Sequence, residues 1–321
     1  MSASEVGRDA LAALEPLVEA YPFKAYRNYR ALSRKKQDDV QRAELRGALE
    51  QAGGFGLVDR DPASVAVLVR PLPWDSAFFD LPMARLAIVH DGAQGRDALR
   101  AMIAAACDAS RARGIRHLSA RVDVADAEAV QALEDTGFRM MDALATYIYP
   151  LKRPAPESGK DMGVLRLYEP GDREQILEIT REAYRDFRGR YHLDPHLPRS
   201  RSDELYVEWA KKSCDGEWAD VVLVTDNGRG ELHGWASYRQ IEPVSSVGGT
   251  PIRGGGLGAC RRDKPGAYAG LLRAATIRIH GGGAITEMQT QVFNFATIRL
   301  YEAVNTQFVR ADYTLHAWLG Y

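Results

Sequence analysis

Cysteine is scarce in this sequence and unorganised. The three cysteines in 321 residues, Cys107, Cys214 and Cys260, stand far apart. No CxxC or HExxH spacing gathers cysteine or histidine into a metal set, so no metal is expected. An odd, sparse count excludes a disulfide framework and suits a reducing cytoplasm. Neither sign of charge is in excess: 42 basic and 43 acidic residues leave a net charge of -1, so no bulk field draws nucleic acid or an anionic membrane. No apolar run approaches the ~18 residues of a membrane span. The opening stretch MSASEVGRDALAALEPLVEA has acidic residues where a secretory leader has a basic start and an apolar core. The expectation is a soluble cytoplasmic protein without nucleic-acid or membrane partners.

What is present is an ordinary globular composition, 45% hydrophobic and 26% charged. A chain of 321 residues exceeds one typical core and predicts two domains of about 150 residues each. The stretch PLKRPAPESGKDMG (150–163) has the Pro, Gly, Ser and charge of a linker and no apolar period. It sets domains at 1–150 and 164–321, with the linker over 151–163. In the second half the pattern predicts a strand at 164–170, helices at 171–187 and 202–214, and strands at 219–226 and 232–241. A strand at IRGGGLGAC, a helix at AGLLRAATIRI, a strand at AITEMQTQV, a helix at ATIRLYEAV and a strand at ADYTLHAWL follow. That alternation reads as a mixed α/β sheet.

The first half repeats the end of this order, with a helix at 97–114, a strand at IRHLSARVD, a helix at AEAVQALEDTG and a strand at ATYIYPL. Laying HLSARVDVADAEAVQALEDTG (117–137) over EMQTQVFNFATIRLYEAVN (287–305) brings Asp126 to Asn294, Leu133 to Tyr301 and Gly137 to Asn305. Asp and Asn are helix N-caps, and Gly and Asn suit a left-handed C-terminal position. The pattern predicts a diverged duplication in which one copy keeps a phenol where the other has a hydrocarbon.

GGLGAC (255–260), RRDKPGAYAGLL (261–272), TEMQTQV (286–292) and NFATIRLYEAVN (294–305) together resemble the core of the GNAT acyl-CoA N-acyltransferases. PWDSAFFD (73–80), LYVEWAKKSCDGEWADVVLV, HGWASYR and TQVFNFATIRLYEAV further resemble the TDP-fucosamine acetyltransferases and related amino-sugar enzymes. The resemblance implies two tandem GNAT-like domains, the first degenerate and the second catalytic. It implies transfer of an acetyl group from acetyl-CoA to a primary amine, with an amino-sugar nucleotide as favoured acceptor and a homodimer as an admissible assembly. The alternatives are another small amine or amino-acid-derived acceptor, or a non-catalytic acyl-CoA-binding protein.

By the same resemblance, backbone amides of Leu257, Gly258 and Ala259 polarise the thioester carbonyl. The cofactor phosphates meet the loop and helix start at Lys264, Gly266, Ala267, Tyr268, Ala269 and Gly270. That loop departs from the family's small-residue pattern, because Asp263 stands at its Gln or basic position and Tyr268 at its second glycine. Arg261 and Arg262 add positive charge nearby. A phenol can protonate a departing thiolate, which makes Tyr301 the expected general acid. Asn294, two turns before it on the same helix face, is the expected pantetheine contact. Glu287, Gln289 and Gln291 share one strand face; with His233 and Tyr238 they are the candidates that receive the amine proton. Cys260 has no base beside it and reads as packing. The basic, aromatic stretch 188–206 offers Arg188, Arg190, Tyr191 and His192 as acceptor contacts, and Glu287 and Gln289 join them as substrate-binding candidates.

Overall fold

A computed structural model describes residues 3–7, 14–59, 63–157, 163–264 and 266–320. The expected linker lies partly outside them, since 158–162 are not described. The chain forms two compact units, residues 1–144 with 310–321, and residues 145–309.

The first unit runs β1 (Ser4–Val6), α1 (Glu15–Ala20), α2 (Arg34–Glu50), β2 (Phe55–Val58), β3 (Val65–Pro71), α3 (Pro73–Phe79) and β4 (Met83–His90). It continues through α4 (Gly95–Ala112), β5 (His117–Asp123), α5 (Ala127–Asp135) and the start of β6 (Arg139–Tyr149). β1 to β4 form an antiparallel meander, β5 lies parallel to β4, and β12 (Gln307–Trp318) lies antiparallel to β5. Val65 to Val69 are all buried, so this strand reads as one apolar run. Leu99, Met102, Ile103 and Ala106 of α4 and Ala132 and Leu133 of α5 join β3, β4 and β5 in one core. These are the residues at helical spacing, and burial of that face is what holds both helices.

The second unit holds the end of β6, β7 (Val164–Leu167), α6 (Arg173–Tyr184), α7 (Arg190–Leu193), α8 (Arg199–Cys214), β8 (Val221–Asp226), β9 (Leu232–Gln240) and α9 (Val244–Gly248). β10 (Ile252–Cys260), α10 (Ala267–Gly281), β11 (Ile285–Gln291) and α11 (Phe295–Ala303) follow. Its strand order is β6-β11-β10-β9-β8-β7, antiparallel from β7 to β10 and parallel between β10 and β11. The mixed sheet is as expected.

The boundaries differ from the sequence reading. Residues 310–321, expected to close the second domain, belong to the first unit, where Asp312–Trp318 pair with His117–Asp123. Residues 145–149, expected to close the first domain, belong to the second unit beside β11. Composition locates a linker, but strand membership follows from hydrogen-bond pairing, and the two closing strands of a duplicated unit are alike in pattern. The helix expected to run to 187 stops at Tyr184, and the expected loop at 188–206 contains α7 and the first turns of α8.

The duplication is visible residue by residue. Asp126 caps α5 at φ -87, ψ 69, and Asn294 caps α11 at φ -84, ψ 65. Both side chains accept from the amide three residues on, Ala129 at 3.1 Å and Thr297 at 3.3 Å. Leu133 and Tyr301 are buried alike, and Gly137 (φ 90) and Asn305 (φ 62) both turn left-handed.

Candidate active site

The site is made where two parallel strands part. β10 and β11 pair only from Ile252↔Ile285 to Gly254↔Glu287, while β10 stays on β9 as far as Cys260↔Gly234. A bulge between Gly255 and Gly258 bends β10 at that point. Leu257, Gly258 and Ala259 therefore lie past the ladder, on a stretch whose edge toward β11 can bond an extended ligand chain instead. Ser237 Oγ ties the bend to β9, accepting from Leu257 N at 2.9 Å.

Beyond β10 the chain turns through 261–266 into α10. Gly266 takes φ 84, left-handed and easily reached without a Cβ, and starts the helix. Ala267, Tyr268, Ala269 and Gly270 form its first turn, where the dipole favours anions; Ala267 N donates to the Lys264 carbonyl and Gly270 N to the Gly266 carbonyl, both at 3.1 Å, which leaves the amides of Tyr268 and Ala269 for an anion. The arginines of the loop are engaged within the fold. Arg261 donates to the Leu232 carbonyl at 2.9 Å and pairs with Glu178, and Arg262 donates to the Glu182 carbonyl and to Asp186. They fasten the loop to β9 and α6. Lys264 lies 3.8 Å from Asp263.

Tyr301 of α11 is 4% exposed, and its hydroxyl donates to the Gln289 carbonyl at 3.2 Å. It belongs to a cluster of four phenols with Tyr184 of α6, Tyr238 of β9 and Tyr268 of α10. Burial, then Tyr268, Tyr238 and Tyr184, raise Tyr301 well above the ordinary phenol. Burial, then Cys260, push Tyr268 up to about 12, while its hydrogen bond with Tyr301 pulls the other way. Tyr184 donates to the Gly258 carbonyl at 2.9 Å. Burial pushes the Cys260 thiol up to about 12, so it stays protonated and serves as packing over Gly234, as expected.

The remaining expected residues fall in three places. Glu287 is 5% exposed at the last rung of the β10–β11 ladder, with Gln289 Nε2 3.3 Å from its Oε1. Asn294 uses its carboxamide within the fold: Oδ1 caps α11 and Nδ2 donates to Thr290 Oγ1 at 3.0 Å. In the 188–206 stretch, Arg188 is exposed, whereas Arg190 lies over the Tyr191 ring at 4.3 Å and bonds its hydroxyl. Tyr191 is buried, and the His192 side chain is 0% exposed, 3.2 Å from Asp203. His192 stacks on Tyr206, which stacks on Tyr184 at 4.4 Å. Burial and Arg199 hold the His192 imidazole below its ordinary pKa. Tyr191 and His192 thus brace the segment beside β10, and Arg188 is the one of the four that faces solvent.

Sequence reasoning missed Tyr184 and Tyr206. The density of aromatics in AYRDFRGRYHL was the available signal, but nothing in it says which ring turns inward.

The first unit parts in the same way, β4 pairing with β5 only from Met83↔His117 to Leu86↔Ala120. There the opening is filled. His90 Nε2 lies 2.9 Å from Asp126 Oδ2, both buried, and the rings of Tyr21 and Phe23 each lie 5.9 Å from that of His90.

A parted parallel pair, a loop into a helix behind it and a tyrosine-bearing helix across it define the GNAT N-acetyltransferase fold, here in tandem. A GCN5-related N-acetyltransferase from Sphaerobacter thermophilus superposes with a TM-score of 0.62 at 13% identity, over 99% of this chain and 95% of that one. A tandem GNAT protein from the clavulanic acid biosynthesis pathway superposes with a TM-score of 0.57 at 13% identity, over 100% and 99%. In sequence, the chain is 28% identical over 152 residues to the spore coat polysaccharide biosynthesis protein SpsD of Bacillus subtilis, a match spanning 47% of this chain and 50% of that protein. No protein-family model matches the chain. Among the described residues no helix is long and apolar enough to cross a membrane.

Proposed function

We propose that the chain is an acetyl-CoA-dependent N-acetyltransferase whose acceptor is a primary amine on an amino-sugar nucleotide. The observation that carries this reading is Tyr301 fixed by the Gln289 carbonyl on β11, two residues past the last rung of the β10–β11 ladder, while β10 bends away at its bulge. Leu257 N is taken by Ser237 Oγ, against its expected role, so the amides suited to polarise a thioester carbonyl are those of Gly258 and Ala259, and one such donor contributes on the order of 3 kcal/mol to the barrier. The first turn of α10 supplies amides for phosphates. Glu287 takes the amine proton, directly or through water. Tyr301 gives its hydroxyl hydrogen to the leaving sulfur. Burial strengthens the phenol's hold on its proton, but it acts on a thiolate in the same place too, as the Cys260 thiol illustrates, so donor and acceptor stay matched. The polysaccharide-biosynthesis relative supports an amino-sugar acceptor.

The test is thiol release from acetyl-CoA by the full chain with a panel of amino-sugar nucleotides and simple amines. Release with the nucleotides is expected. Release with simple amines alone overturns the sugar assignment, and release with none overturns the enzyme.

A second reading, a non-catalytic protein of this fold, is favoured by one residue, Tyr268, whose bulky ring stands against Gly258 of the bent β10 stretch.

A further inference from the structure

Two glycines inside β10, Gly255 and Gly256, are exposed although the strand lies in the middle of its sheet. They stand just past the last β10–β11 rung, at the start of the bulge. A glycine within a strand marks a bulge or a place where a ligand comes close to the backbone. At Gly256 a Cβ would lie 2.7 Å from Ser237 Oγ and 3.7 Å from Trp209 Nε1, so the N–H edge of the indole stands beside this exposed backbone. Trp209 belongs to α8, where Tyr206, three residues earlier, shares its helix face. Tyr206 stacks on Tyr184, whose hydroxyl donates to the Gly258 carbonyl. That face of α8 therefore follows the bent stretch of β10. Trp218 packs edge-on against Trp209 at 5.5 Å and backs its ring. Trp209 is half-buried, and among the described residues nothing accepts from its indole N–H. Side chains alternate along a strand, so Gly254 and Gly256 share a face, and Glu287, level with Gly254, presents its side chain to the same face. An indole and a buried carboxylate thus flank one exposed run of backbone.

We propose that Trp209 holds the acceptor: the sugar ring that bears the amine lies against the indole face, and the indole N–H donates to one of its hydroxyls. This deepens the amino-sugar reading above and rests on it. The part of the acceptor that reaches Gly256 is the part that reacts, because the amides suited to the thioester carbonyl, at Gly258 and Ala259, lie two and three residues further along the strand. An aminated sugar ring has a face of C–H groups and an edge of hydroxyls. Tryptophan matches both, with a broad apolar ring and one polar donor. A simple alkylamine has neither the face nor the hydroxyl, and an indole N–H left unmet in a filled site counts against it. With the sugar set against Trp209, its amine is turned toward Glu287 on the same face of the sheet.

Steady-state kinetics of the full chain tests this with wild type, Trp209→Phe and Trp209→Ala, using the amino-sugar nucleotide that wild type turns over; calorimetry gives the acetyl-CoA affinity. Trp209→Ala is expected to raise the acceptor KM by about ten-fold or more. Trp209→Phe, which keeps a ring and loses the N–H, should raise it by about three- to five-fold. Acetyl-CoA affinity should not change in either variant, nor kcat in Trp209→Phe. An acceptor KM that is unchanged in Trp209→Phe, or that rises only in step with weaker acetyl-CoA binding, overturns the proposal and leaves the transferase reading standing. Trp209→Phe alone decides if the alanine variant fails to fold. The nucleoside diphosphate without its sugar, used as a competitive inhibitor, should inhibit wild type and variants alike. Weaker inhibition of the variants moves the indole to the nucleotide and overturns the sugar contact. Wild-type thiol release with no amine, or with simple amines only, is the failure of the reading beneath; it is seen before any variant is made, and the proposal falls with it.

Discussion

His90 of the first unit stands four residues past the last rung of its parallel ladder, at Leu86, and holds Asp126 at 2.9 Å; Gly258 of the second stands four residues past Gly254 and offers only backbone. One parting of strands is sealed by a buried pair and the other is lined by glycine. Because His90 Nδ1 accepts from Gly92 N at 3.2 Å, its Nε2–H is the one that donates to Asp126, whose other oxygen caps α5. The full chain is accordingly expected to bind one acetyl-CoA, not two. His90→Ala should leave that stoichiometry and affinity unchanged and cost about 3 kcal/mol of stability by stranding a buried carboxylate. Calorimetry and thermal unfolding check both, and a second equal site would refute the division of labour.

Tyr301→Phe is expected to lower turnover by roughly 10- to 1,000-fold with acetyl-CoA affinity nearly intact. The phenyl ring keeps its packing with Tyr147 at 5.4 Å and loses only the hydroxyl. A variant with wild-type kcat would make Tyr301 a structural residue.

Glu287 at the fork of the ladder is the buried carboxylate nearest the parted strands. In wild type, kcat/KM for the acceptor should rise with pH and level off as base and amine deprotonate. Glu287→Gln should lower kcat/KM by about 100-fold or more. Steady-state kinetics across pH 6–9 tests this, and an unchanged rate shifts the role to bulk water.

The two arginines of the 188–190 turn are expected to separate. Arg188→Ala should raise the acceptor KM, by roughly ten-fold if it meets a diphosphate, without changing donor binding. Arg190 lies on Tyr191, so Arg190→Ala should lower stability by about 0.5–1 kcal/mol. Equal effects of both on KM, with no loss of melting temperature in Arg190→Ala, would restore Arg190 to the acceptor site.

Glu44 supplies a pH dependence in the first unit. Burial pushes its carboxyl up to about 7, with Arg310 and Arg70 acting against the rise. A carboxyl that holds its proton in the folded state to higher pH than in the unfolded state stabilises the fold below the unfolded pKa, and that contribution is lost as pH rises through the folded value. Urea unfolding between pH 4.5 and 7 should show stability falling, and Glu44→Gln should flatten the slope. A slope that persists in Glu44→Gln assigns it to another group.

Much of this protein was legible in one dimension. The 3.6-residue period located α4, α5, α10 and α11 to within a turn, and Asp126 and Asn294 announced two helix starts because a short polar side chain at an N-cap satisfies an amide that no other residue can. The Asn294-to-Tyr301 spacing, read against Asp126-to-Leu133, marked the duplicated unit and the half that retains the phenol. These are local properties, fixed by residues within one or two turns of each other.

Tertiary structure alone decided the rest. Which unit receives Asp312–Trp318 depends on pairing with His117–Asp123 nearly two hundred residues away, and alternation in a strand states which face is buried but not which neighbour it joins. Arg261 and Arg262, read only as positive charge near the loop, point to carbonyls and carboxylates brought up by α6 and β9. Tyr191 and His192, read as acceptor contacts, turn inward because Ser202 and Tyr206 of α8 pack against them. The sequence put Tyr268 beside a phosphate loop; only the bend of β10 at its bulge, which no local signal encodes, set its ring on Gly258.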